Sequence, residues 1–196
     1  LIRGLRRQSP SFVFENPSSS AMSSKPFFTV RPATLRDAKS ITELYNASAG
    51  DAYACVTKGA EIRSTALQKP QAFWREAIEY AEPQLQVVLD GDQIVGFVGF
   101  DRSRDPKTQP TVGEIWFIYV AASHRGQGAG LALWDAAREG LIDEGCTNVT
   151  VWVPIANEQA LRFHELAGFK REPSSAKTVP VGTARVEEIR LKRALS

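Results

Sequence analysis

The segment that decides the fold is Val120-Ala-Ala-Ser-His-Arg-Gly-Gln-Gly-Ala-Gly130. An apolar run ends at Val120. A short polar loop then carries Arg125, Gly126, Gln127, Gly128, Ala129 and Gly130, and a helical pattern starts at Leu131. Strand, glycine loop and helix start in succession build a seat for a phosphate-bearing ligand. The first amides of a helix have no partner within it and lie at the positive end of its dipole. Glycine lets the main chain approach such a ligand closely. The loop is not a Walker loop, because no Gly-Lys-Ser/Thr follows. It also misses the dinucleotide fingerprint, since Leu131 stands where the third glycine belongs.

A second block follows. Val151-Trp-Val-Pro-Ile-Ala-Asn157-Glu-Gln-Ala160-Leu-Arg-Phe163-His164-Glu-Leu-Ala-Gly168-Phe169 reads as strand, N-cap, helix, glycine stop and strand. Asn157 is a favoured N-cap residue. Ala160, Phe163 and Ala167 form an apolar stripe at helical spacing. Gly168 ends the helix in the usual C-terminal manner.

Together the two blocks resemble the GNAT superfamily of acyl-CoA-dependent N-acyltransferases. Arg125-x-x-Gly128-x-Gly130 matches its pyrophosphate loop, and Asn157-x-x-Ala160…His164…Gly168-Phe169 matches its second motif. The resemblance extends over residues 27 to 193 and is strongest from Glu114 to Phe169. It implies an α/β domain with one mixed, mostly antiparallel central sheet flanked by helices. Two central strands are expected to splay apart and admit the pantetheine arm of acetyl-CoA. The backbone of Ile118, Tyr119 and Val120 is expected at the splay, pairing with pantetheine and polarising the thioester carbonyl. The Tyr119 side chain is expected in the core on the opposite face. Arg125 through Gly130 would hold the pyrophosphate, and Asn157 would contact pantetheine as well as cap its helix.

Transfer to an amine needs a base, because a lysine-like amine with a pKa of ~10.4 is mostly protonated at neutral pH. In a regular strand Glu114, Trp116, Ile118 and Val120 share one face. Glu114 is therefore expected as the one acid on an apolar wall leading to the loop. Its place also resembles that of the general-base glutamate of some GNAT histone acetyltransferases. Four residues of strand separate it from Ile118 by about 13 Å, so a relaying water is expected. The alternative is a solvated acid at a strand end. His164 stands where many GNATs carry a tyrosine that protonates the departing thiolate, and the pair His164-Glu165 resembles the phosphinothricin-type acetyltransferases. Imidazole can donate a proton near neutral pH; the alternative is a structural histidine beside an apolar stripe.

At 196 residues the chain suits one domain with a sizeable core. The net charge of +2, with no basic run interleaved with aromatics, argues against nucleic acid. No apolar stretch reaches the ~20 residues that span a bilayer. Cys55 and Cys146 form no metal spacing and no disulfide framework, so a reducing, cytoplasmic setting is expected and no metal. Cys146 reads as a small buried hydrophobe. Residues 1–25 lack periodicity and hold Met22, the only methionine. They read as an extraneous segment before a start at Met22, with an Arg- and Ser-rich transit peptide as the alternative; residues 26–196 form the acetyltransferase domain.

The remaining elements follow from pattern. Strands are expected at Phe27–Arg31, Leu85–Leu89, Ile94–Phe100, Val112–Val120, Asn148–Val153 and Ala184–Leu191, with a short one at Phe169. Helices are expected after Thr34-Leu-Arg-Asp37 and fading near Gly50, over Pro70–Ala81, Leu131–Glu144 and from Asn157. Residues 51 to 69 read as irregular or weakly helical, and Pro173 to Gly182 as a loop. The acceptor pocket is expected between about Asn46–Ala66 and Glu172–Thr183, with Asp51, Tyr53 and Glu61 receiving a cationic amine and Trp116 as a wall. The expected activity is transfer of acetyl from acetyl-CoA to a primary amine of a small molecule, by direct attack in a ternary complex. A homodimer is common in such folds. Acetylation of protein termini or lysines, and a non-catalytic acyl-CoA sensor, are the alternatives.

Overall fold

A computed structural model describes residues 27–54, 67–182 and 184–195. The chain runs β1 (Phe28–Pro32), α1 (Ala38–Ala54), α2 (Gln71–Tyr80), β2 (Gln84–Asp90), β3 (Gln93–Arg102), β4 (Val112–Val120), α3 (Ala129–Asp143), β5 (Asn148–Pro154), α4 (Glu158–Leu166), β6 (Lys170–Val181) and β7 (Ala184–Ala194). The seven strands form one sheet in the order β1-β2-β3-β4-β5-β7-β6. Among the described strands only β4 and β5 run parallel; every other pair is antiparallel. This is the mixed, mostly antiparallel sheet expected from the sequence. The segment 1–26, with Met22, lies outside the described residues, as do Cys55 and Glu61.

Two apolar cores cover the two faces of the sheet. On one face Leu133, Trp134, Ala137 and Leu141 of α3 and Leu161 of α4 pack on Val98, Phe100, Ile115, Val149, Val151 and Leu191. On the other, Ile41 and Tyr45 of α1 and Trp74 and Ala77 of α2 pack on Leu85, Val87 and Phe97. Trp74 sits edge-on to Tyr45, Phe97 and Phe117 at 5.1 to 5.3 Å, a cluster that locks α1 and α2 to the sheet.

The start of α1 keeps one half of the expected capping box, the reach of Asp37 back to the Thr34 amide. Asp37 accepts from the Thr34 amide at 2.7 Å and the Thr34 hydroxyl at 2.9 Å, and the helix begins after it. Asp37 also holds Arg31 of β1 through two nitrogens at 2.7 and 3.0 Å. That pairing, first, and the Thr34 contacts hold its carboxyl down at about 2. The helix runs on to Ala54, past the expected end at Gly50.

The expected loop Pro173–Gly182 is instead most of β6. β6 pairs with β7 at Lys170–Glu172 and Lys177–Val181, with a bulge between. Ser175 bridges the bulge, its hydroxyl donating to the Glu172 carbonyl at 2.6 Å and accepting from the Arg190 amide at 2.9 Å. β6 is an edge strand, where Pro173 and Pro180 cost no central ladder bond.

α3 lies close on the sheet because Gly140 faces Phe100. A Cβ there would come within 2.6 Å of the fully buried Phe100 ring. Gly140→Ala is therefore expected to destabilise the fold by about 1–3 kcal/mol through overpacking, despite alanine's better helix propensity. Urea unfolding of parent and variant measures this.

Candidate active site

β4 and β5 pair only from Val112↔Asn148 to Ile115↔Val151. Beyond that the strands part, and a gap of about 130 Å³ opens between them, walled by Trp116, Phe117, Ile118, Trp152, Pro154 and His164 among others. On the far side β4 stays bonded to β3, and the Ala121 amide donates to the Val95 carbonyl at 2.8 Å. Alternation then turns the amides and carbonyls of Ile118 and Val120 toward the gap, where no strand meets them. Tyr119 points its ring into the α1–α2 core, stacked on Phe97 at 5.8 Å.

The gap continues into a groove of about 320 Å³ lined by Ile118, Val120, Arg125, Gly126, Gly128, Gly130, Gln159, Ala160, Phe163 and His164, with Leu131 at its rim. At its far end is the N-terminus of α3. Gly128 is the N-cap with φ +105°, and no side chain caps the helix. Gly126 has φ +75°, and a Cβ on Gly130 would press on the Phe163 ring at 3.1 Å. The loop is braced from within: Arg125 Nε donates to the Val120 carbonyl at 3.1 Å and Gln127 Nε2 to the Ser123 carbonyl at 2.7 Å. Across the groove, Asn157 Oδ1 accepts from the Ala160 amide at 3.0 Å, the expected N-cap of α4. An apolar trough that ends on uncapped helix amides fits an elongated ligand with a charged phosphate end. Ile118, Val120, Arg125, Gly126, Gly128, Gly130, Asn157 and His164 all meet along this path. Ala129 opens α3 as a buried residue.

Glu114 is placed differently from the expectation. Gly99 pairs with Phe117 and Phe100 with Ile115, so Trp116 is an extra residue, a β-bulge. The bulge inverts the alternation. Ile115, Ile118 and Val120 pack on the α3 core, whereas Phe117 and Tyr119 pack on the α1–α2 core. A Cβ at Gly113 would meet Leu141 of α3, so Glu114 points the opposite way. It shares a face with Phe117 and Tyr119, not with Ile118 and Val120. Its carboxylate is 1% exposed and held by Arg104: by the amide at 2.8 Å, by Nε at 3.1 Å and by Nη2. The Arg104 guanidinium stacks on Trp116 at 4.1 Å.

His164 is 3% exposed, wedged edge-on between Phe163 and Phe169 at 5.1 and 5.2 Å. Burial lowers its pKa from 6.5 to about 4. Its Nδ1 has no hydrogen-bond partner among the described residues. At neutral pH the ring is therefore uncharged. Cys146 is buried as expected, its thiol pushed up by burial, and it accepts from Arg102 at 3.2 Å.

Beyond Trp116, the expected acceptor side carries residues the sequence reading did not single out. Arg190 of β7 holds Asp105 at 2.8 Å and Glu172 at 2.6 Å. Trp152 donates to Asp105 at 3.0 Å, and Lys177 sits over its ring at 3.3 Å. Lys69 lies 4.0 Å over Phe73. These pairs join strands distant in sequence, and only the period-two placement of Trp152, Glu188 and Arg190 hints at them. Asp51 and Tyr53 fall on the last turn of α1, whose side chains lie outside the described ones.

With this geometry, the model of the acetyltransferase (GNAT) family matches residues 41–169. The chain belongs to the acetyltransferase (GNAT) family. Mycothiol acetyltransferase of Kocuria rhizophila is 30% identical over 82 residues, which take in 42% of this chain and 27% of that protein. The chain thus matches about a quarter of that relative's length. YncA of Salmonella typhimurium, described as a putative acetyltransferase with its cofactor acetyl-CoA, superposes with a TM-score of 0.66 at 19% identity, over 86% of this chain and 94% of that one. PaiA N-acetyltransferase of Thermoplasma acidophilum, in complex with coenzyme A, gives 0.69 at 14% identity, over 86% and 99%. At these identities the likeness is one of fold. Among the described residues no helix is long and apolar enough to cross a membrane.

Two outcomes follow for this GNAT site. Gly128→Val is expected to weaken acetyl-CoA binding at least tenfold, because φ +105° excludes a branched side chain and its bulk enters the groove; calorimetric titration reads it. His164 binds a proton more readily unfolded than folded, so its stabilising effect is complete above pH 6.5 and is lost as pH falls toward about 4. The loss amounts to roughly 3 kcal/mol. His164→Phe is expected to flatten that limb of stability against pH, measured by urea unfolding.

Proposed function

We propose that this protein is an N-acetyltransferase that moves the acetyl group of acetyl-CoA to a primary amine of a small molecule by direct attack in a ternary complex. The observation that carries the reading is the parting of β4 and β5 above an uncapped α3 N-terminus, joined by one apolar groove. In this reading the amides at Gly128 to Gly130 receive the pyrophosphate and Arg125 sits beside it. Pantetheine lies along Val120, Ala160 and Asn157, completing the sheet ladder that Ile118 and Val120 leave open. An amide at Ile118 or Val120 donates to the thioester oxygen as it gains charge, the task of an oxyanion hole.

The acceptor enters from the α1–α2 face of the gap, opposite the α3 groove. The confined space between Trp116, Phe117 and Trp152 favours a compact amine. Its nitrogen attacks the thioester carbon, the C–S bond breaks, and CoA thiol leaves past His164. With its pKa near 4, His164 assists as a neutral hydrogen-bond partner of the sulfur, since an imidazolium is scarce at pH 7. Glu114, engaged by Arg104, acts as a base only when Arg104 withdraws. While the clamp is closed it fixes Arg104 over Trp116.

Acetyl-CoA-dependent thiol release tests the proposal, with a panel of amino acids and their analogues, polyamines, aminoglycosides and short peptides. Release is expected with one small amine class. Release confined to peptides would move the acceptor to protein termini or lysines. Tight acetyl-CoA binding with no release from any amine would make the protein an acyl-CoA sensor.

A further inference from the structure

Glu188 of β7 is a carboxylate that the site above leaves unused. Ile189 and Leu191 belong to the α3-side core, so Glu188 and Arg190 face the acceptor side. Across β5, Arg190 lies opposite Trp152 and Glu188 opposite Pro154, and both β5 residues wall the gap. The last paired residues of the parting strands are Ile115 and Val151. Pro154 lies three ladder positions beyond them on β5; with Trp116 bulged out, Ile118 and Tyr119 lie two and three positions beyond them on β4. Glu188 is therefore level with the Ile118–Tyr119 segment, past the point where the strands part. Glu114 lies short of the parting, paired with Thr150.

Among the described residues, each cation near Glu188 is committed elsewhere. Lys177 is directly across on β6, yet its ammonium lies over the Trp152 ring at 3.3 Å. Arg190, on the same strand, holds Asp105 and Glu172. Arg104, from the β3–β4 loop, holds Glu114. The Glu188 carboxylate makes no hydrogen bond or ion pair among the described residues. It is half-buried, and that burial raises its pKa, with Lys177 and Arg104 opposing the rise. A carboxylate lacking donors accepts a proton more readily than one that already holds three.

We propose that Glu188 is the group that accepts the proton of the acceptor amine, and that its open carboxylate draws a cationic amine into the gap. The inference rests on the acetyltransferase reading above. The ammonium nitrogen gives one proton to Glu188 and its freed lone pair bonds to the thioester carbon. As the C–S bond breaks, the nitrogen loses its second proton and the sulfur takes one up, giving amide and thiol. Glu188 then passes its proton to water.

Thiol release against pH, with the best amine from the panel, compares the parent with Glu188→Gln, Glu188→Asp and Glu114→Gln, beside calorimetric acetyl-CoA affinity. Glu188→Gln is expected to lower kcat/KM for the amine by ~10²–10⁴ and to remove the acidic limb of the profile, while acetyl-CoA affinity holds. The deficit should shrink for a weakly basic amine that is already deprotonated, and Glu188→Asp should restore part of the limb. Glu188→Gln within about threefold of the parent, with its limb intact, would overturn the proposal. So would loss of that limb in Glu114→Gln alone. If Glu188→Gln fails to bind acetyl-CoA, the Asp variant decides: activity without the limb counts against Glu188. A parent that releases no thiol with any amine overturns the acetyltransferase reading itself, a result seen without any variant.

Discussion

The structure turns on the point where β4 stops pairing with β5. Four ladder positions hold the two strands together, and then the only parallel pair among the described strands opens. In most sheets an unpaired run of central backbone would be costly, because each amide and carbonyl needs a partner. Here the amide and carbonyl of Ile118 and the amide of Val120 face a groove walled by apolar side chains, while the Val120 carbonyl is held by Arg125. A ligand that itself carries amides relieves the cost. Binding and the completion of the sheet are then the same event, which ties affinity to the main chain more than to any one side chain.

Holding the gap open requires that β4 be fixed from both faces, and the bulge at Trp116 makes this possible. Before it, Gly113 and Ile115 rest on α3; after it, Ile118 and Val120 do the same, while Phe117 and Tyr119 insert among Tyr45, Trp74 and Phe97. The bulge adds twist and bends the strand away from β5. It also decides which chemistry faces which substrate. Without it Glu114 would stand on the cofactor side with Ile118; with it, Glu114 is on the acceptor side and under Arg104.

This division explains what the sequence made legible. β4 ends at Val120 as expected, α3 begins within two residues of the expected start, and Asn157 caps α4, because strand, glycine and cap signals are local. The position of Trp116 in a bulge was not legible, since it depends on the register of β3 and nothing in Glu-Ile-Trp-Phe departs from a regular strand. β6 was hidden by its prolines and serines, which an edge strand with a stitched bulge accommodates. The stripe Ala160, Phe163, Ala167 placed α4 correctly against the core, but the most buried positions are Leu161 and His164. An imidazole carries apolar bulk and a titratable edge together, so periodicity alone does not show which of the two a fold will use.

The acceptor side is organised by how its charges are already spent. Arg104, Arg190 and Lys177 each face an aromatic ring, and the two arginines each hold a carboxylate as well. Such engagement fixes long side chains that would otherwise sweep the mouth of the gap, and it removes cations that would repel a protonated amine. What remains unpartnered among the described residues is one half-buried carboxylate on β7, level with the open backbone of β4. His164 walls the gap from the α3 side, its imidazole kept uncharged by burial. In the proposed reaction a cation approaching from the acceptor side meets its attraction on β7, level with the parted stretch of β4. In the same proposal the thiol leaves past an uncharged imidazole. On that proposal, binding of the amine and loss of its proton draw on the same half-buried carboxylate, so tighter pairing of that carboxylate within the protein would weaken both steps together.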